Sequence, residues 1–165
     1  MRHRYGRTAA KSAVLALAVG SVAGLGGATL ALAADAPSAA DQIVDYRQSM
    51  YTVMAGNFAP IGAMAAGKAP FDAKEAQKRA ARVAYISNML GEGFPPGSDK
   101  GNGTHAKPEI WAKRADFDKL MKDLQTQTAN LVTAANSGDE AKFKAAAAAV
   151  GKACKTCHDK YKTED

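Results

Sequence analysis

The two cysteines of the sequence lie three positions apart and are followed at once by a histidine. The segment reads Cys154-Lys155-Thr156-Cys157-His158. This C-x-x-C-H pattern is typical of c-type haem attachment, in which two thiols form thioethers and the imidazole binds the iron. At about 100° per helical residue, His158 lies roughly 40° from Cys154, and Cys157 roughly 60° the other way, so one turn presents all three. The motif predicts one covalently attached haem c per chain.

Three other kinds of site also use closely spaced cysteines. A disulfide suits an exported protein, but a three-residue step within a helix is poor geometry for one. A thioredoxin-type redox pair is expected beside a βαβ pattern, which the sequence lacks. A zinc ion needs a fourth ligand, for which His105 is the only histidine besides His158 after residue 33. Haem attachment is therefore the favoured interpretation.

Four segments of helical period must position these residues, and no segment alternates as a half-buried strand would. The predicted helices run from about Ser38 to Ala59, from Asp72 to Leu90, from after Pro108 to Ser137, and from Asp139 to the C-terminal motif. Ser38, Asp72 and Asp139 are predicted N-caps. Residues 91–108 contain five glycines and three prolines, which predicts a long surface loop. The pattern predicts an all-α fold, an antiparallel four-helix bundle with the haem near its C-terminal helix.

The N-terminal 33 residues have the pattern of a secretory signal. A cationic start is followed by an uncharged run from Ser12 to Ala33, which ends in Ala31-Leu32-Ala33. An uncleaved membrane anchor is the alternative, but several glycines dilute the run. We expect residues 1–33 to be a signal peptide and residues 34–165 to be one bundle domain in a bacterial periplasm, with no membrane attachment after cleavage.

Charge and composition exclude several classes of function. The formal net charge is +6, but residues 34–165 carry 18 basic and 16 acidic side chains, a net charge of +2. No basic stripe is interleaved with aromatic residues, so no nucleic acid partner is expected. No nucleophile, base and orienting residue form a recognisable set, so conventional enzyme catalysis is not expected.

With its C-terminal C-x-x-C-H motif, the chain resembles cytochrome c′, the high-spin branch of the class II c-type cytochromes. The resemblance extends from about Asp41 to Lys162 and rests on four segments: Tyr46-Arg47-Gln48, Pro96-Gly97-Ser98, Pro108-Glu109-Ile110-Trp111, and Val150-Gly151 followed by Cys154 to His158. It implies a five-coordinate iron with His158 as the only axial protein ligand, and binding of nitric oxide or carbon monoxide. It also implies a homodimer packed through the first two helices.

The resemblance assigns roles to further residues. Tyr51, four residues after Arg47, would cover the open face of the haem. Arg47 and Gln48 would bind a haem propionate, and a charge on the inward seam of a helix does need a partner. A surface salt bridge between Arg47 and either Asp45 or a neighbouring helix is the alternative. Lys162 stands beside the proximal face, where many relatives carry arginine.

Two methionines leave a second function open. Met50 and Met54 lie beside Tyr51 in the sequence. If one of them bound the iron, the protein would be a six-coordinate electron carrier that does not bind gas. Core packing at heptad spacing is the simpler interpretation of both. Lys152, Lys155 and Lys160 would form a positive rim for an unknown redox partner, or a solvated helix face. A haem-free helical binding module is a more distant alternative.

Overall fold

The structure, a computed structural model, describes residues 36–163. The predicted signal peptide lies outside the described residues. The described part forms five helices: α1 (Ala39–Ala65), α2 (Ala73–Met89), α3 (Glu109–Ala112), α4 (Arg114–Asn136) and α5 (Glu140–Tyr161). A single 3₁₀ turn, Leu90–Gly93, follows α2. No helix within residues 36–163 has the length and apolarity needed to cross a membrane.

The three predicted N-caps are confirmed. In each, a side-chain oxygen accepts the backbone N–H three residues later, in the pairs Ser38–Asp41 at 3.1 Å, Asp72–Glu75 at 3.0 Å and Asp139–Lys142 at 3.0 Å. The Asp41 carboxylate also accepts the Ser38 N–H, which completes a capping box. Local side-chain chemistry therefore fixes where these helices begin.

The predicted end of the first helix is wrong, because α1 continues through Pro60 to Ala65. A proline inside a helix costs about 3 kcal/mol and leaves the carbonyl four residues earlier without its donor. Here Arg79 of α2 donates to the Gly56 carbonyl at 3.2 Å. Beyond the proline, Ile61 and Met64 are buried in the core, and each contributes about 1.5–3 kcal/mol. Burial of this last turn therefore offsets the cost of the proline.

The third predicted helix is divided in two. Lys113, with φ −120° and ψ 45°, separates α3 from α4. Trp111 before this break and Arg114 after it both donate hydrogen bonds to the loop that precedes α3. Trp111 Nε1 donates to the Pro95 carbonyl at 2.9 Å, and Arg114 Nη1 donates to the Phe94 carbonyl at 2.8 Å. These tertiary contacts accompany a break that the hydrophobic period alone does not indicate.

The four long helices form the predicted antiparallel four-helix bundle. Helix α1 packs against α2 and α5, and α4 packs against the same two helices. The predicted seam of α4 is buried throughout, at Phe117, Met121, Leu124, Thr128, Leu131 and Ala135. One buried polar pair lies among these residues: the hydroxyls of Ser87 and Thr128 are 2.9 Å apart, between α2 and α4. The core therefore extends along the bundle to the helix that carries the cysteines.

Candidate functional site

The C-x-x-C-H motif occupies the last turns of α5. Cys154 and Cys157 form no disulfide and are half-buried against the hydrophobic core, whereas the His158 side chain is exposed. An ion pair between Lys155 and Asp159, 2.7 Å apart, spans one turn on the outer face of the helix. The structure thus keeps the motif helical, as the sequence predicts.

The two thiols are protonated at neutral pH. Burial raises the pKa of Cys154. Burial and the neighbouring Cys154 raise the pKa of Cys157 to about 11. A dithiol used for redox exchange needs a lowered pKa, because the thiolate is the nucleophile. The described residues also hold no strand and no group of three or more His, Cys, Asp or Glu side chains placed to bind a metal. The described residues therefore give no support to a thioredoxin-type redox pair or to a zinc site.

The imidazole of His158 is favoured in its neutral form. Partial removal from water lowers the pKa of His158, and the nearby positive charge of Lys162 lowers it further. Asp159 opposes both effects. A neutral imidazole has a nitrogen lone pair available for a metal. The backbone N–H of Lys162 donates to the His158 carbonyl at 2.9 Å, which closes this last turn.

Tyr51 of α1 and the two cysteines are brought together. The partly buried Tyr51 ring packs against the core, as both thiols do, and meets Phe94 edge-on with a centroid distance of 6.4 Å. Burial raises the pKa of Tyr51, and electrostatic interaction with Cys157 and Cys154 raises it further, while Arg47 opposes this. Tyr51 therefore stays a neutral phenol within electrostatic range of the motif.

The two methionines beside Tyr51 lie in the core. Met50 is 8% exposed and Met54 is 6% exposed. The Met50 methyl lies 3.2 Å from the position that a Cβ on Gly93 would take, so it packs on that glycine. These surroundings agree with the core-packing interpretation of Met50 and Met54.

Arg47 and Gln48 donate to the last residue of the 3₁₀ turn and to the loop that follows it. The Arg47 side chain is 4% exposed, and its four hydrogen bonds go to the Gly93 carbonyl (2.8 Å), to the hydroxyl and carbonyl of Ser98 (3.5 and 3.4 Å), and to the Thr104 hydroxyl (2.6 Å). Gln48 donates to the Gly103 carbonyl at 2.7 Å. The buried guanidinium of Arg47 therefore already has hydrogen-bond partners within the chain. Propionate binding by Arg47 or Gln48 stays a prediction.

Phe94 is the centre of an aromatic cluster at this end of the bundle. Its ring lies 4.8 Å from Phe117 and 6.1 Å from Trp111, and the Arg47 guanidinium lies 4.8 Å from its centroid. Phe117 in turn meets Tyr161 edge-on at 5.5 Å. The loop position of Phe94, outside any helical period, is why the sequence did not indicate this role. The cluster belongs to the core against which Cys154 and Cys157 pack.

Two of the three lysines proposed as a positive rim are engaged in ion pairs. Lys155 pairs with Asp159, and Lys160 pairs with Asp116 at 2.5 Å. The same Asp116 oxygen accepts the Tyr161 hydroxyl at 2.5 Å, and the two contacts lower the pKa of Asp116. These exposed pairs contribute little to stability. They do reduce the net positive charge around the motif.

The donor set fits a c-type haem. Two protonated thiols are available for addition to vinyl groups, and the adjacent neutral imidazole can bind iron. Apolar and aromatic side chains, including Tyr51 and Phe94, pack around the same core as the two thiols. Helix α5 would therefore hold the haem through Cys154, Cys157 and His158.

Comparison with known proteins agrees with this geometry. The family described as Cytochrome C' matches residues 42–162. The chain is 44% identical to cytochrome c′ of Rubrivivax gelatinosus over 119 residues, which are 72% of this chain and 92% of that protein.

Solved structures give the same result. Cytochrome c prime from Shewanella frigidimarina matches with a TM-score of 0.73 and 45% identity, over 76% of this chain and 97% of that one. A nitric oxide complex of a variant of cytochrome c prime from Alcaligenes xylosoxidans matches with a TM-score of 0.71 and 34% identity, over 76% and 97%. The family is one of covalently bound haem c proteins. From its sequence match and its fold, this chain belongs to the cytochrome c′ family.

Proposed function

We propose that this protein carries one haem c, joined by thioethers to Cys154 and Cys157, and that His158 is the only axial protein ligand of its iron. The opposite side of the iron would bind nitric oxide or carbon monoxide. The observation that carries the proposal is the partly buried ring of Tyr51 within electrostatic range of both cysteines of the motif. The nitric oxide complex of the Alcaligenes relative supports the same choice of ligand.

The protein contributes position, protonation state and exclusion of water. The haem, when bound, supplies an iron with one open coordination site. Helix α5 holds both anchors and the imidazole on one turn, and the lowered pKa of His158 keeps the imidazole neutral. The protonated Tyr51 ring would cover the open side of the haem and would have to move aside for a diatomic ligand. The Phe94 cluster would keep water away from the haem on its apolar side.

The proposed biological role is nitric oxide binding and protection in the bacterial periplasm. Residues 1–33 would direct export and be removed. Electron exchange with a redox partner is a second role that the haem would permit. The proposal assigns no conventional enzyme catalysis to the chain.

We further propose a homodimer packed through α1 and α2. An open groove of about 460 Å³ lies between these helices and is lined by Val53, Asn57, Ala81, Arg82, Tyr85 and Ile86. Val53 is 54% exposed and Tyr85 is 72% exposed, although both are large and apolar enough to favour burial. A second copy of the same face would cover them in a closed, two-fold contact.

The test is an optical spectrum of protein expressed together with the haem attachment machinery. We expect a pyridine haemochrome typical of two thioethers, a broad high-spin band in the reduced state, and a new spectrum when nitric oxide is added. The Cys154→Ser/Cys157→Ser double variant is the control and should lose its haem to acidified organic solvent. Sharp, split bands that nitric oxide leaves unchanged would instead establish methionine ligation and the electron-carrier alternative. Absence of covalent haem would overturn the proposal.

A further inference from the structure

We infer that Arg47 is a positioning residue that acts on the His158 turn through the segment Gly93–Lys107, hereafter the clasp. The clasp joins the face of α1 that bears Tyr51 to the end of α5 that bears the motif. This inference rests on the proposed haem site, but it assigns Arg47 a task other than propionate binding. It is carried by a continuous series of hydrogen bonds.

The first link is the guanidinium of Arg47. Its two terminal nitrogens hold both ends of the clasp at once, with Nη1 on the Gly93 carbonyl at 2.8 Å and Nη2 on the Thr104 hydroxyl at 2.6 Å. The planar fork of arginine allows this double contact, which a lysine ammonium cannot reproduce with the same geometry. Arg47 therefore fixes the span of the clasp.

The second link runs from Thr104 to the C-terminal turn. The Thr104 hydroxyl also accepts the Ala106 N–H at 3.1 Å. Ala106 forms an isolated antiparallel bridge with Lys162, in which the Lys107 N–H donates to the Tyr161 carbonyl at 2.9 Å. On the other side of this bridge the Thr163 N–H donates to the His105 carbonyl at 2.9 Å.

The third link is within α5 itself. The Lys162 N–H donates to the carbonyl of His158 at 2.9 Å. The residue that pairs with the clasp is therefore also the residue that closes the His158 turn. A displacement of Thr104 would reach this turn through its hydrogen bond with the Ala106 N–H and then through the bridge between Ala106 and Lys162.

The clasp packs closely against α1, so a displacement of one would be felt by the other. A Cβ added to Gly101 would lie 2.5 Å from Val44 Cγ2 and 2.7 Å from the Ala40 carbonyl oxygen. The Asn102 N–H donates to the Asp41 carboxylate at 2.7 Å. Close packing at Gly101 and the hydrogen bond from Asn102 to the Asp41 carboxylate therefore hold the clasp against α1.

The test compares holoprotein variants in the ferrous state. Thr104→Val removes the shared hydroxyl with little change in volume, and Thr104→Ser restores it. Thr133→Val is the matched control, because the exposed Thr133 hydroxyl donates to the Ala129 carbonyl on α4, away from the clasp. The measurements are amide hydrogen exchange at residues 105–107 and 162–163, and the iron–histidine stretching band in resonance Raman spectra.

We expect Thr104→Val to accelerate exchange at these amides by about tenfold and to shift or broaden the iron–histidine band, because a charge-assisted hydrogen bond is lost. Arg47→Lys should do the same, whereas Thr104→Ser and Thr133→Val should resemble the wild type. If Thr104→Val leaves the band unchanged, the positioning role is wrong. A wild-type protein with no such band would instead count against the five-coordinate site, so the two failures are distinguishable.

Discussion

The residue type at position 51 decides whether the proposed iron site is open or is closed by a protein ligand. A methionine at this position offers a thioether sulphur to iron, whereas the tyrosine here is held as a neutral phenol by burial. A neutral phenol in an apolar pocket is a poor iron ligand, so the ring acts through its volume. Met50 and Met54 are both buried in the core, which agrees with a packing role for them.

Replacing Tyr51 with alanine tests this steric role. Tyr51→Ala should accelerate carbon monoxide binding to the reduced protein by about tenfold, equivalent to about 1.4 kcal/mol less barrier. Stopped-flow mixing measures the rate. Thr133→Ala is the control, because Thr133 is exposed on α4, away from α1 and from the groove between α1 and α2. Equal rates for Tyr51→Ala and the wild type would refute steric gating.

At the scale of elements, the N-terminus of α1 and the clasp stabilise each other. The Asp41 carboxylate accepts N–H groups from both the capping residue Ser38 and the clasp residue Asn102. Tyr46 adds a hydrogen bond from its hydroxyl to Glu92 at 2.9 Å, at the start of the same connection. One carboxylate therefore both begins a helix and holds a loop.

This arrangement gives the protein a defined sensitivity to acid. Hydrogen bonds from the Asn102 backbone, and then from Ser38, lower the pKa of Asp41 below its ordinary value of 3.8. The unfolded chain therefore binds a proton more readily than the folded one. The resulting stability is present above the unfolded-state pKa and is lost as pH falls through the lower folded-state pKa.

Asp41→Asn should remove this part of the pH dependence. We expect the urea midpoint of the wild type to fall more between pH 7 and about pH 3 than that of Asp41→Asn. Asp45→Asn, an exposed position on the same helix, is the control and should follow the wild type. A wild type and an Asp41→Asn variant with parallel pH profiles would contradict the assignment.

At the scale of the whole molecule, the two sides of the bundle differ. The motif, the aromatic cluster and the clasp gather at one end, where α1 meets α5. The groove with exposed Val53 and Tyr85 lies between α1 and α2. Helix α1 contributes to both, so a dimer built on the groove would stabilise the helix that carries Tyr51.

Charge placed in the groove should dissociate the proposed dimer. Val53→Asp would put a carboxylate into a contact that excludes water, where it has no partner. Light scattering coupled to gel filtration should give the monomer mass for Val53→Asp and the dimer mass for the wild type. Ala148→Asp, at an exposed position on α5, is the control and should stay dimeric. A monomeric wild type would rule out the homodimer.

The sequence by itself determined the features that depend on near neighbours. The C-x-x-C-H spacing, the three N-caps and the seam of α4 each involve residues within a turn or two, so their geometry follows from helical periodicity. The bundle follows from four such helices with one apolar face each. The family resemblance pointed to Tyr51, whose role over the haem stays a prediction.

Only the tertiary structure decided the features that need a distant partner. Helix α1 passes Pro60 because Arg79 of another helix reaches the Gly56 carbonyl and because the core buries Ile61. Arg47 finds its acceptors on residues 46 to 57 positions away, on a loop whose path no periodicity encodes. Local patterns fix helices, whereas long-range hydrogen bonds and burial fix where helices end and what their buried charges bind.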